Sequence, residues 1–131
     1  MTGDQSVIKV AKNVLVGRVA MLQGRFADAA EAFEAAAAQQ DTLLASTMDP
    51  PIWWYPIRRS AAAAWLQAGQ FARAADVARA SLKGWPDDAL ALLVLSRAED
   101  ALGHATDARH DEAAAIGNWE GDIAKVDVAI I

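Results

Sequence analysis

Nearly the same seven-residue segment occurs twice in this chain, and a looser copy follows. The segments begin at Gly24 (GRFADAA), Gly69 (GQFARAA) and Gly103 (GHATDA). Gly69 and Gly103 are 34 residues apart, which is the period of a helix–turn–helix solenoid repeat, while Gly24 and Gly69 are 45 apart, one period plus an insertion of 11. One such unit cannot bury its apolar face alone, so copies must stack, and stacking produces a surface rather than an active site. The repeat therefore predicts a binding scaffold.

Length and composition narrow the class of protein. A chain of 131 residues fits one domain, so we expect residues 1–131 to form a single domain. A hydrophobic content of 54% with 22% charged residues excludes a disordered chain. The net charge of −5 argues against nonspecific binding to nucleic acid, whose phosphates need a basic face. The absence of cysteine removes disulfides, thiolate nucleophiles and thiolate metal ligands from consideration.

The sequence also bears on location. No apolar run approaches the ~20 residues that a membrane span needs, so no membrane partner is expected. The start, Met1-Thr2-Gly3-Asp4, lacks the basic and then apolar stretches of a secretory signal. These features predict a cytoplasmic protein, with a periplasmic location open if the sequence is a piece of a longer chain.

Apolar spacing predicts three helical hairpins, at about residues 7–46, 56–83 and 88–116. The second helix of the first hairpin keeps a high helix propensity to about Ala45, which takes up most of the 11-residue insertion. Two adjacent prolines, Pro50 and Pro51, then end that helix. Pro56 suits the first position of the next helix, because its missing N–H is not needed there.

The final segment, 117–131, is predicted to cap the last hairpin. Its apolar residues fit two periods: Trp119, Ile123, Val126 and Ile130 match a helical stripe, whereas Val126, Val128 and Ile130 alternate as in a strand. In all-helical surroundings we favour a capping helix that covers the last hairpin.

Aligned on its three glycines, the chain resembles the tetratricopeptide repeat (TPR) family. That pattern has a small residue midway along the first helix, an aromatic residue after the glycine, and alanine followed by an aromatic residue on the second helix. The matching positions are Val16-Gly17, Ala20, Gly24, Phe26, Ala29, Phe33 and Ala36 in the first copy, Ala61-Ala62, Trp65, Gly69, Phe71, Ala74, Ala78 and Pro86 in the second, and Leu95-Ser96, Gly103 and Ala108 in the third. Ala105 and Glu112 stand where the third copy should have aromatic residues, which suggests a terminal repeat. The resemblance implies an all-α fold, a right-handed α-α superhelix of three TPR-like hairpins with a C-terminal capping segment.

One segment resembles a particular group within the TPR family. Residues 50–58 (PPIWWYPIR), with Leu66-Gln67-Ala68-Gly69, look like the carboxy-terminal repeats of a bacterial TPR group that carries Pro-Pro…Trp-Tyr-Tyr-Pro-Val-Arg there. The likeness covers about residues 10–131 and is specific for fold. It brings no activity with it.

Three arginines are candidate binding residues: Arg18, Arg59 and Arg97 fall on the first helices of the hairpins, on the side that lines the groove in TPR proteins. Packed helices lie ~8–10 Å apart, so the guanidinium groups would form a ladder along that groove. Arginine binds carboxylates bidentately, and the ladder would suit an acidic peptide or a free carboxy-terminus. The alternative is that the three arginines are solvated or paired within the chain. The family's clamp for chaperone tails is not expected, because Ser60 and Ala63 stand where it needs asparagines.

Trp53, Trp54 and Tyr55 form an aromatic segment after the double proline. They either anchor a partner from an exposed position or fold back over the junction between the first two hairpins. Trp65 and Trp85 stand at repeat or turn positions and are predicted to be packing residues.

No pattern indicates catalysis, a metal or a cofactor. His104 and His110 are six residues apart and so lie on different faces of a helix. Glu31 and Glu34 share a face but lack the Glu-x-x-His motif of di-metal sites. Phosphate-binding glycine loops and Gly-x-Ser-x-Gly elbows do not occur.

The expected function is a non-catalytic protein–protein interaction scaffold that binds a peptide or partner segment in a concave groove. The alternative is a structural module that forms a homo-oligomer through its apolar tail, which contains Val126, Val128, Ile130 and Ile131.

Overall fold

The computed structural model describes residues 3–46 and 55–131. They form six α-helices and two 3-10 helices and contain no strand, which confirms the all-α prediction. The α-helices are α1 (Gly3–Leu22), α2 (Phe26–Ser46), α3 (Ile57–Gln67), α4 (Phe71–Gly84), α5 (Ala89–Ala101) and α6 (Ala105–Gly117). The 3-10 helices are η1 (Ile123–Lys125) and η2 (Val128–Ile130). Within the described ranges, none of the helices has the length and apolar character needed to cross a bilayer.

The three repeated glycines end α1, α3 and α5 with one and the same turn. Gly24, Gly69 and Gly103 have φ angles of +73°, +77° and +83°, a backbone region that side chains other than glycine's rarely allow. At the first turn the N–H of Arg25 donates to the carbonyl of Ala20 (2.9 Å), and the N–H of Gly24 donates to the carbonyl three residues before it (3.1 Å). The other two turns repeat this pair of bonds, the Schellman motif. Each hairpin therefore turns through bonds made within about six residues of chain.

Consecutive helices pack against one another, and α3 also packs against α5. Alanine fills most of the buried positions, and its small side chain lets helix axes approach closely. Among the larger buried side chains are Phe33, Ile57, Trp65 and Val94. Trp65 is only 4% exposed, as expected for a packing residue, and Trp85 is half-buried.

Gly17 marks a close approach of α1 to α2. A Cβ atom built on Gly17 would lie 2.6 Å from Cε1 of Phe33, well inside van der Waals contact. Phe33 is 1% exposed, so its ring has little room to move away. The contact requires glycine at this position.

Gln40 joins the long α2 to the start of α3. Its Nε2 donates to the carbonyl of Tyr55 (2.9 Å), while its Oε1 accepts from the N–H of Ile57 (2.9 Å). On the surface nearby, Arg58 and Asp41 form an ion pair of 2.6 Å. Because Gln40 is buried and satisfied at both ends, it fixes where the second hairpin begins.

The predicted capping helix is wrong. After α6 the chain passes through Gly121, whose φ of +98° interrupts any helix, and then forms η1 and η2. The side chains of Asp122 and Asp127 each accept a hydrogen bond from the backbone N–H two residues later (3.1 and 2.9 Å). Such aspartate caps start short turns, which explains why the segment is neither an α-helix nor a strand.

Candidate functional site

The tail, defined here as residues 122–131, extends beyond the last hairpin toward α3 and α1. At its start, Ile123 and Ala124 border a cleft of about 240 Å³ together with Leu93 and Arg97 of α5. Further along, η2 packs against α3. At its end, the main-chain oxygen of Ile131 meets α1 and α3. The surface of α1, α3 and α5 that the tail covers is called the first-helix face below.

The tail consists of two copies of one five-residue unit. The units, residues 122–126 (DIAKV) and 127–131 (DVAII), share Asp at position 1, Ala at position 3 and apolar residues at positions 2 and 5. A 3-10 helix has three residues per turn, so positions 2 and 5 lie on the same side. Ile123, Val128 and Ile131 are each 4% exposed, and Val126 is half-buried. Each unit thus buries its apolar pair against the protein.

Ser60 and Arg18 bind the end of the tail through its main chain. The hydroxyl of Ser60 donates to the oxygen of Ile131 at 2.8 Å, and Nη2 of Arg18 donates to the same oxygen at 3.2 Å. Arg18 also reaches the oxygen of Ile130 at 3.5 Å, and its guanidinium lies over the ring of Phe33, 5.1 Å from the centroid. Ser60 is 1% exposed, so it offers a buried hydrogen-bond donor to the tail, and Arg18 adds a charged one.

Arg59 is paired within the chain. Its Nη1 lies 3.0 Å from Oδ1 of Asp88, and the two side chains are 14% and 9% exposed. Asp88 also caps α5 by accepting from the N–H of Leu90 (3.2 Å). The guanidinium of Arg59 stacks over Tyr55 at 4.9 Å. Arg59 therefore ties α3 to the start of α5.

Arg97 differs from Arg18 and Arg59, because it is exposed and makes no hydrogen bond or ion pair with the part of the chain that the structure describes. Arg18 and Arg97 each precede their turn glycine by six residues, and the equivalent residue of the middle repeat is Ala63. Arg59 lies four residues earlier than that position, about one helical turn away. Of the three arginines, Arg18 and Arg97 occupy equivalent positions on the first-helix face, and Arg59 does not.

Of the aromatic segment, Trp53 and Trp54 lie outside the described residues. Tyr55 is half-buried. It borders a cleft of about 430 Å³ with Arg59 and Trp85, between the start of α3 and the turn after α4.

Glu99 is a buried acid between α5 and α6, 2% exposed. Its burial, together with a hydrogen bond and the negative charge of Asp111, raises the pKa of Glu99 to about 7, although Arg79 opposes the shift. Its Oε1 has no hydrogen-bond partner within the described residues. Glu99 therefore changes charge near neutral pH in the interior of the last hairpin.

Sequence reasoning missed Ser60 as a binding residue and missed the tail as its ligand. A signal for the tail was present, because two aspartates five residues apart precede apolar residues at matching positions. Nothing local marks Ser60, since its partner Ile131 is 71 residues away. Among the described residues, no group of three or more histidine or acidic side chains is arranged to hold a metal ion.

In comparisons with models of protein families, with curated proteins and with solved structures, no match to this chain was found.

Proposed function

We propose that this protein is a non-catalytic interaction scaffold that binds a segment of another protein across the first-helix face. The proposal includes a right-handed superhelix of three TPR-like hairpins, with the first-helix face as its concave side. One observation carries it: this face already holds a peptide segment, the protein's own tail, through the buried Ser60 and the partly buried Arg18. A surface that binds one segment in this way has the chemistry to bind another.

The nature of the bonds indicates what such a ligand needs. Ser60 and Arg18 donate to main-chain oxygens, which every peptide has, so they fix position without reading sequence. Selectivity then rests on the parts of the face that bury apolar side chains of the tail, and on Arg97. The Arg97 guanidinium has no partner within the described residues and favours an acidic residue in the ligand. This supports an acidic peptide as ligand.

The non-catalytic part of the proposal is supported by the position of Glu99, the one acid with a strongly raised pKa among the described residues. Glu99 has a raised pKa, which is often a mark of a catalytic acid. It is 2% exposed and paired with Asp111, so a substrate has no route to it. Its environment fits an interior carboxyl group better than a reactive one.

The proposal is tested by selecting peptides from a displayed library on the full chain. We expect enrichment of acidic segments that bind the wild type and lose at least ten-fold in affinity on Arg97→Glu. The matched control is Lys83→Glu, which reverses an exposed charge on α4, away from this face, and should leave binding unchanged. Failure to enrich any peptide, or equal loss in both variants, would contradict the proposal.

A second candidate function is self-association, favoured by an exposed apolar patch. Val128 and Ile131 are buried in their own chain, but Ile130 is 72% exposed and Leu22 is 89% exposed. Both border a cleft of about 390 Å³, and Leu15 (64% exposed) continues the patch along α1. Sedimentation equilibrium should then show a dimer that Leu22→Asp dissociates. A wild type that stays monomeric at high concentration would exclude it.

A further inference from the structure

The tail shows in detail what kind of segment the first-helix face accepts. Each five-residue unit supplies an aspartate that caps its turn and two apolar side chains that face the protein. The last unit also supplies the main-chain oxygens that Ser60 and Arg18 bind. None of these features depends on the tail being attached to α6.

The two units lie on different parts of the face. Ile123 of the first unit lies beside Leu93 and Arg97 of α5, whereas η2 of the second unit packs against α3. The face therefore holds two sockets in series, five residues apart along the bound chain. A ligand that fills both must repeat its apolar pair with the same spacing.

The tail should also dissociate from the first-helix face at a lower free-energy cost than unfolding of a helix. Each 3-10 helix has only three residues, and few backbone hydrogen bonds hold it together. Its attachment to α6 runs through residues 118–121, which include Gly121 with its positive φ. Short segments with few bonds open at lower free energy than packed helices.

We propose that the first-helix face is a binding site for segments made of tandem units of aspartate, apolar residue, alanine, any residue and apolar residue. The ligand is such a segment in a separate partner protein, and the chain's own tail holds the site until that segment displaces it. This inference rests on the proposed function and names the ligand class of the same site. Because the tail is tethered, its effective concentration is on the order of millimolar, so a competing segment must bind tightly or present both units.

The test uses the full chain and a fluorescent peptide with the sequence of residues 118–131. We expect weak binding to the wild type, because the tail competes, and at least ten-fold tighter binding to Val128→Ala/Ile131→Ala, which loosens the tail. A peptide with both aspartates changed to alanine should bind several-fold more weakly, since its turns are uncapped. Equal affinity of the peptide for wild type and variant would overturn the proposal.

A second measurement covers the case in which the double variant fails to fold. Hydrogen exchange of isotope-labelled wild type, with and without saturating unlabelled peptide, reports on the protein's own tail. We expect the amides of residues 123–131 to lose protection when the peptide is present, while those of α5 keep it. A tail that stays as protected as α5 contradicts displacement.

The outcomes separate this inference from the function on which it rests. If library peptides bind the first-helix face but the tail peptide neither binds nor displaces the tail, the scaffold survives and the ligand class is wrong. If neither binds, both fail. If the tail instead exchanges between copies, seen as a concentration-dependent dimer that the double variant abolishes, a separate partner is excluded as the ligand's source.

Discussion

Ser60, in the middle of the chain, donates a 2.8 Å hydrogen bond to the main-chain oxygen of Ile131, 71 residues away. This bond, with that of Arg18, connects the tail to helices from two different hairpins. A tail tied to α1 and α3 loses its attachment if those helices move apart. Movement of α1 relative to α3 should therefore loosen the tail. A substitution at Ser60 should raise amide exchange in the tail before it does so in the helices.

Ser60→Ala should lower the free energy of unfolding by about 1 kcal/mol, because it leaves a buried oxygen of Ile131 with one donor fewer. Amide exchange in the tail should rise more than exchange in α3. The matched control is Ser81→Ala: Ser81 is equally buried, but its hydroxyl has no hydrogen-bond partner in the described residues, so its loss should be close to neutral. Equal losses in the two variants would show that the bond to the tail contributes nothing.

Asp127→Ala should loosen η2 by removing the acceptor for the N–H of Ala129. Loss of such a cap costs about 1 kcal/mol. Exchange of the backbone amides in residues 128–131 is the measurement, and it should accelerate about five-fold. Asp76→Ala removes an exposed aspartate from α4 that caps nothing, and in that variant the tail should exchange as in the wild type.

Gly17→Ala should destabilise the first hairpin, since the added methyl would lie 2.6 Å from the ring of Phe33. Overpacking costs about 1–3 kcal/mol, which outweighs the gain of about 1 kcal/mol in helix propensity. Gly84→Ala places the same methyl in open space at the end of α4 and should be neutral or stabilising. Chemical denaturation compares the two variants.

The contact itself is tested by a double variant. Phe33→Leu makes room for the new methyl, so Gly17→Ala should cost less in that background than in the wild type. Additive effects would mean that the cost arises elsewhere.

Stability should fall as pH rises from about 4.5 to 7, because the folded protein holds the proton of Glu99 more tightly than the unfolded chain does. The loss is complete above the folded pKa and amounts to on the order of 3 kcal/mol. Glu99→Gln, which stays neutral, should therefore be more stable than the wild type at pH 8 and similar to it at pH 5. Urea denaturation at both pH values measures this. Gln67→Ala, which replaces an exposed and uncharged side chain on α3, should change stability equally at the two pH values.

Much of the helical framework could be predicted from the sequence, because its signals are local. The glycines at 24, 69 and 103 mark turns that need a positive φ, and the long α2 follows from uninterrupted helix propensity up to the prolines. The sequence also predicts that Arg59 is not equivalent to Arg18 and Arg97. Those two lie six residues before their turn glycines, whereas Arg59 lies ten residues before Gly69.

The tail could not be predicted in the same way. Its apolar residues fit the helical period of 3.6 and the strand period of 2, and the period of 3 that the structure uses lies between them. What selects that period is the pair of aspartate caps and Gly121, features shorter than the windows that periodicity needs. The end of the tail meets Ser60 and Arg18 across more than half of the chain, so no neighbouring residue signals the contact.

The span of the tail has a consequence for how such a protein can evolve. The ten residues of the tail reach from Arg97 of α5, past α3, to Arg18 of α1, so one short segment meets the first helix of all three hairpins. The turn within each hairpin is held by backbone hydrogen bonds between residues close in sequence, so a further hairpin could be inserted without breaking these bonds. Its insertion would nevertheless leave Ile131 one helix short of Arg18. The number of hairpins and the length of the tail are therefore coupled, and relatives with a longer array should carry additional copies of the five-residue unit.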